Sequence, residues 1–203
     1  NKLVGPPATR GKLDINAPTD ENIRNAAKVL GKEVEALTVF VLDKPRHDGL
    51  IREIRDTGAC IQLHTDGDVA GALMAATPGS GVDLMMGIGG TPEGVLAAAA
   101  IRVLCGEMQG MLSPQSFEEE KNILAAGYTP GEVLLLEDLI GSDDVFFAAT
   151  GITGGSLLKE VDFFSNGAIT HSMIGRGLTE TVRTVEAKHN FETLMKISAI
   201  AYD

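Results

Sequence analysis

The chain has 203 residues and a formal net charge of −11, from 17 lysine and arginine residues against 28 aspartate and glutamate residues. This acidity disfavours a nucleic-acid partner, because proteins that bind phosphate backbones gather lysine and arginine on one surface. With 44% hydrophobic and 22% charged residues, the composition is that of a globular protein. No apolar run approaches the roughly 20 residues that span a bilayer, so we expect no membrane partner.

Two further features of the sequence bear on the cellular location of the protein and on the start of the chain. Cys60 and Cys105 lie far apart and form no Cys-x-x-Cys motif. We interpret them as buried, reduced thiols, which favours a cytoplasmic location. The first residues, 1–5, carry neither an initiator methionine nor a signal-peptide pattern, so we do not expect them to be a natural start.

Strands and helices are predicted to alternate along most of the chain. Apolar residues at helical spacing predict a first helix over residues 20–30, which Gly31 can end in the left-handed conformation. Short apolar runs predict strands, and small or amphipathic segments predict the helices between them. The predicted strands cover residues 37–42, 59–63, 82–86, 133–136 and 145–149, and the further helices cover residues 48–56, 66–76, 92–104 and 116–126, with a short helix after 151–155.

This alternation predicts an α/β fold with a mostly parallel sheet flanked by helices. From residue 168 the pattern changes to two alternating runs, 168–174 and 179–186, separated by a Gly-Arg-Gly turn. We expect an antiparallel β hairpin there. The prediction is therefore an α/β domain over residues 1–167, with residues 168–203 as its β-rich C-terminal extension.

Two turns carry charged residues directly after predicted strands, where open α/β sheets bind ligands. Lys44 and Arg46 flank Pro45 and could hold a phosphate group, or simply form a solvated loop. Asp66 and Asp68 flank Gly67 and could accept hydrogen bonds from a polyol, or cap the following helix.

Two glycine-rich turns follow later strands. The first, residues 87–94, lacks the features of a dinucleotide-binding or P-loop motif but carries Glu93 in the first helical turn. Glu93 could complement the helix dipole or bind a hard cation such as Mg²⁺ or Mn²⁺. The second, residues 150–155, could cradle an anion or allow close backbone packing. From the residues alone, we predict a protein that binds a phosphorylated polyol, and the reaction type stays open.

Six stretches in this order resemble class II fructose-1,6-bisphosphatases. They are Lys2-Leu-Val-Gly5, Lys44-Pro-Arg-His47, Asp66-Gly-Asp68, Gly87-Ile-Gly-Gly-Thr-Pro-Glu-Gly94, Ala149-Thr-Gly-Ile-Thr153 and Thr181-Val-Arg183. The resemblance implies a fold related to the lithium-sensitive, metal-dependent sugar phosphatases. It also implies hydrolysis of the 1-phosphate of fructose 1,6-bisphosphate in gluconeogenesis, with Mn²⁺ or Mg²⁺ as cofactor, in a homo-oligomer.

The resemblance also implies roles for single residues. Lys44 and Arg46 resemble the residues that hold the distal phosphate, and Glu93 resembles a metal ligand. Asp66, Gly67 and Asp68 look like the sugar contacts, and Gly90 lies against the substrate in the family, which makes residues 1–167 a substrate-binding domain. The catalytic residues and most metal ligands are expected in an N-terminal part of the family's chain that has no counterpart among these residues.

Two other functions stay open at this point. One is a module that binds a sugar phosphate without turning it over. The other is a related phosphatase that acts on sedoheptulose 1,7-bisphosphate or an inositol phosphate.

Overall fold

The computed structural model describes residues 1–198 of the chain. Ten strands and seven helices follow one another in that part. The strands are β1 (Lys2–Gly5), β2 (Thr38–Leu42), β3 (Cys60–His64), β4 (Leu84–Gly87), β5 (Glu107–Met111), β6 (Val133–Leu135), β7 (Phe146–Thr150), β8 (Asp162–Phe164), β9 (Gly167–Arg176) and β10 (Thr181–Asn190). The helices are α1 (Thr19–Leu30), α2 (Asp48–Thr57), α3 (Asp68–Ala76), α4 (Thr91–Val103), α5 (Phe117–Ala125), α6 (Leu136–Leu139) and α7 (Phe191–Ile197).

A six-stranded sheet in the order β3-β2-β4-β1-β5-β6 forms the centre of the α/β part. Successive residues of a strand face opposite sides of a sheet, and β2 buries both sides. Val39 and Val41 pack in a core with α1 and α2, whereas Phe40 and Leu42 pack with α3 and α4 on the other side. Helices therefore cover both faces of this sheet, as the sequence predicts.

The sheet is mixed, and the prediction of a mostly parallel sheet is wrong. Within residues 1–198, β2 pairs in parallel with β3 and β4. The three other pairs, β1 with β4, β1 with β5, and β5 with β6, are antiparallel. The error arises at β1 and β5, which the apolar pattern does not reveal, so the direction of the chain beyond β4 could not be inferred.

A second, antiparallel sheet contains the C-terminal strands. β9 pairs with β10 over ten residues on one side, and with β7 and β8 on the other. The predicted hairpin is thus confirmed, within a sheet that also takes in β7. The expected short helix after residues 151–155 is wrong, since residues 151–161 have no regular structure. The last part of the predicted extension, residues 199–203, lies outside the described residues.

The two cysteines depart from the prediction of buried thiols. Cys60 is exposed at the start of the edge strand β3, and Cys105 is half-buried after α4. Both are free thiols. Among residues 1–198, no helix combines the length and apolar character needed to cross a membrane.

Candidate functional site

Three turns carry all the residues predicted to bind ligand or metal. The strands β3, β2 and β4 are parallel neighbours, so their carboxyl ends lie at one edge of the sheet. Lys44 and Arg46 follow β2, Asp66 to Asp68 follow β3, and Gly90 and Glu93 follow β4. The structure therefore brings the predicted residues to one edge of the sheet.

The turns after β2 and β3 meet through an ion pair. Lys44 Nζ lies 3.5 Å from an oxygen of Asp66, whose side chain is 88% exposed. Gly67 is the N-cap residue of α3 in the left-handed conformation, with φ 97°, and no side chain caps this helix. The alternative interpretation of Asp66 as a helix cap has no hydrogen bond to support it, and its carboxylate remains available to a ligand.

The turns after β2 and β4 are joined by two side chains. Arg46 donates from Nε and Nη2 to the Ile88 carbonyl, at 3.1 and 3.0 Å. His47, only 1% exposed, accepts a hydrogen bond at Nε2 from the Ile88 N–H at 2.7 Å. Since Nε2 accepts, the proton of the neutral ring is on Nδ1, which donates to the Leu42 carbonyl at 2.8 Å. Sequence reasoning missed this buried histidine, although it belongs to the Lys-Pro-Arg-His stretch.

A buried lysine is a further component that the sequence did not reveal. Lys2 pairs across the sheet with Gly87 at the carboxyl end of β4, and its Nζ donates to Asp68 Oδ2. The exposed fractions of the two side chains are 5% and 13%. A Cβ atom at Gly89 would lie 2.5 Å from Asp68 Oδ2 and 2.6 Å from Lys2 Nζ. A side chain at position 89 would therefore force the ends of Lys2 and Asp68 to shift, whereas glycine lets the loop pass over the ion pair as it stands.

Glu93 occupies the first turn of α4, after the N-cap residue Gly90. Its carboxylate is exposed and makes neither a hydrogen bond nor an ion pair within residues 1–198. A Cβ atom at Gly90 would overlap this carboxylate, so the glycine keeps the space beside it open. A free carboxylate oxygen suits Mg²⁺ or Mn²⁺, but no group of three or more potential metal-binding residues forms in the described part of the chain. Glu93 thus fits a metal ion as one ligand of a larger set.

Two larger concavities adjoin this edge of the sheet, besides smaller ones such as that of about 200 Å³ lined in part by Lys2, Arg46 and His47. One, of about 490 Å³, is lined by Arg46, by residues 88–91 and by residues 111–115. The other, of about 670 Å³, extends from Asp66 and Gly67 to the glycine-rich turn at residues 150–155. In that turn a Cβ atom at Gly151 would overlap the carbonyl of Lys159, which favours close backbone packing there.

The cations of the C-terminal sheet interact mainly within it. Arg176 donates to Asp144 at 2.9 Å and lies over the ring of Phe146. Lys188 lies over the ring of Phe164. These side chains take no part in the cluster at the carboxyl edge.

Comparison with known proteins places this chain in a family. The family model described as bacterial fructose-1,6-bisphosphatase, glpX-encoded, matches residues 1–189. The chain is similar to fructose-1,6-bisphosphatase class 2 of Haemophilus influenzae, with 44% identity over 97% of this chain and 63% of that protein. It is also similar to fructose-1,6-bisphosphatase 1 class 2 of Escherichia coli, with 41% identity over 93% of this chain and 60% of that protein. The chain thus spans about three fifths of the length of these relatives, and it belongs to the class 2 fructose-1,6-bisphosphatase family.

Proposed function

We propose that the intact protein hydrolyses the 1-phosphate of fructose 1,6-bisphosphate, releasing fructose 6-phosphate and phosphate. The observation that carries this proposal is the convergence of three kinds of group at the carboxyl edge of β2, β3 and β4. Cations suited to a phosphate, carboxylates suited to sugar hydroxyls and a free carboxylate suited to a metal ion lie on adjacent turns. The relatives named above carry this activity in their names.

The residues at this edge bind different groups of the substrate. Lys44 and Arg46 bind the distal phosphate, which is not cleaved, through a point charge and a planar fork of donors. Asp66 and Asp68 accept hydrogen bonds from sugar hydroxyls, and Gly67 lets the backbone approach the sugar. Gly90, without a side chain, leaves room for the substrate beside Glu93. This chain thereby orients the reacting phosphate, and orientation can supply several kcal/mol of a barrier.

Glu93 is the described residue that would hold the metal cofactor, Mn²⁺ or Mg²⁺. Such an ion, when bound, polarises a phosphoryl group and lowers the pKa of a coordinated water. We infer that the other ligands and the catalytic residues come from the part of the family's chain that residues 1–198 do not include. This inference agrees with the absence of any group of three potential ligands among those residues.

The remaining expectations concern the organisation of the protein. We infer that residues 1–167 form a substrate-binding domain, extended by residues 168–203, with the fold of the lithium-sensitive phosphatases. We also infer a cytoplasmic homo-oligomer. The support for an oligomer is an exposed apolar surface on one face of the second sheet, where Ile174 of β9 and Val185 of β10 lie on the same side.

A second candidate function is sugar-phosphate binding without turnover. It is favoured by one observation, that a single unpartnered carboxylate, Glu93, is the only predicted metal ligand within residues 1–198.

Phosphate release by the intact protein discriminates the candidates. Fructose 1,6-bisphosphate should be hydrolysed with Mn²⁺ or Mg²⁺, and a chelator should abolish the activity. Binding of fructose 6-phosphate without turnover of any sugar phosphate would instead identify a binding module. Sedoheptulose 1,7-bisphosphate and inositol 1-phosphate complete the panel, and preference for either one would reassign the substrate.

A further inference from the structure

The buried ion pair of Lys2 and Asp68 is unusual for a place between a central strand and a helix. Leu3 and Val4, the next residues of β1, are buried apolar side chains. Removing two charges from water carries a desolvation penalty, and apolar residues of similar size often stabilise a fold as well or better. An ion pair at this position is therefore poorly explained by fold stability.

The hydrogen bonds of Asp68 point to a ligand. Its Oδ2 accepts from Lys2, whereas Oδ1 has no hydrogen-bond partner within residues 1–198. Asp68 does not cap α3, because the N-cap residue is Gly67 and no side chain accepts from the first turn. One oxygen is thus fixed by the protein, and the other can accept a hydrogen bond from outside it.

Charge gives a second reason for the pairing. A carboxylate alone would repel an anionic sugar phosphate, and this repulsion is strong at short distance in a poorly hydrated site. Lys2 neutralises the pair and leaves an acceptor for a hydroxyl. The glycine at position 89 makes room for both charged groups beneath the loop.

We propose that Lys2 is a positioning residue of the sugar-binding site, which holds the Asp68 carboxylate in one orientation and offsets its charge toward an anionic ligand. This proposal rests on the proposed function, in which Asp68 contacts sugar hydroxyls. Lys2 acts through Asp68 and does not itself touch the ligand.

Calorimetric binding of fructose 6-phosphate to the intact protein tests this role. The variants are Lys2→Met, which keeps the length of the side chain without its charge, Asp68→Asn, and the two combined. The chain offers a matched control in Lys32, which donates to Asp83 at 2.7 Å. Asp83 is 13% exposed, as Asp68 is, but it directly precedes β4 and so lies at the opposite edge of the sheet. Lys32→Met should leave the affinity unchanged.

We expect Lys2→Met to weaken binding by about tenfold or more, as Asp68→Asn does, because each removes a charge-assisted hydrogen bond from the site. The double variant should bind no more weakly than Asp68→Asn, since Lys2 acts through Asp68. In turnover of fructose 1,6-bisphosphate, Lys2→Met should lower kcat/KM mainly by raising KM, with a smaller change in kcat.

Other outcomes overturn the proposal in distinguishable ways. If Lys2→Met binds as the wild type does while Asp68→Asn is weakened, Lys2 has no positioning role. If the losses multiply in the double variant, Lys2 contacts the ligand directly. If neither variant changes the affinity, the sugar contact of Asp68 is wrong, and with it the proposed function of this turn. Should Lys2→Met not fold, Lys2→Gln takes its place in the same comparisons, because its uncharged amide can still donate a hydrogen bond to the buried Asp68 carboxylate. Wild-type affinity in Lys2→Gln would then contradict the role of the charge.

Discussion

Replacing His47 by alanine should loosen the connection between the turns that follow β2 and β4. The imidazole is fully buried and joins the Leu42 carbonyl to the Ile88 N–H. Arg46 donates to the carbonyl of the same Ile88. Loss of the ring should therefore disturb both the stability of this edge and the orientation of a phosphate-binding side chain.

The size of the effect follows from the two hydrogen bonds. The Leu42 carbonyl keeps a second donor, the Lys44 N–H at 2.9 Å. The free-energy cost of losing its hydrogen bond to His47 is therefore small. The Ile88 N–H loses its acceptor, which costs about 1–3 kcal/mol, and the lost packing adds about 1–2 kcal/mol. We expect the free energy of unfolding to fall by about 3 kcal/mol, and the melting temperature by roughly 6–12 °C.

Two conservative variants separate the hydrogen bonds of the ring in thermal denaturation and fructose 6-phosphate binding. In His47→Gln the amide oxygen can take the place of Nε2 and accept from the Ile88 N–H. In His47→Asn the amide nitrogen can take the place of Nδ1 and donate to the Leu42 carbonyl. Gln should recover more affinity than Asn, because it restores the bond to Ile88. Equal affinities for Gln, Asn and Ala would refute the reasoning.

Arg46→Ala should lower kcat/KM for fructose 1,6-bisphosphate by roughly 10- to 150-fold, the equivalent of about 1.5–3 kcal/mol for a charge-assisted contact, with little effect on p-nitrophenyl phosphate. Equal losses on both substrates would contradict a role at the distal phosphate. Glu93→Gln should remove metal-dependent activity without lowering the melting temperature, and an unchanged metal titration would contradict the assignment. Iodoacetamide at neutral pH should modify the exposed Cys60 before Cys105, because burial and a nearby carboxylate raise the pKa of the Cys105 thiol and so lower its thiolate fraction. Alkylation of Cys105 should increase as pH rises toward that pKa, and mass spectrometry that finds Cys105 labelled first would show the opposite.

Local patterns predict the parts of this fold that depend on local contacts. The stripe of apolar residues in α1 and the apolar run of β2 determine which faces are buried, and both elements lie within one residue of their predicted bounds. The turns after β2, β3 and β4 were predicted for the same reason, since each directly follows a recognisable strand. Their assembly at one edge needs only the parallel pairing of those strands.

The parts that were missed depend on partners distant in sequence. Strand β5 contains Glu107, Gln109 and Gly110, which do not resemble a buried strand. Gln109 is buried because its side chain donates to the Leu13 carbonyl at 2.7 Å and accepts from the Ile15 N–H at 2.8 Å. No local pattern identifies such partners. The place of Lys2 in the site is hidden for the same reason, since it depends on the pairing of β1 with β4.

The position of β1 has a consequence for the order in which the protein folds. Its residues pair with residues 85–87 of β4 on one side and with residues 107–110 of β5 on the other. Closing such long loops has an entropic cost before the strand pairs compensate it, and folding slows as contacts become less local. The units β2-α2-β3 and α3-β4 can form from neighbouring segments, but β1 can be inserted only after both β4 and β5 exist. We therefore expect amide protons of β1 to gain protection late in refolding, so that the edge carrying the ligand site becomes complete in the last step.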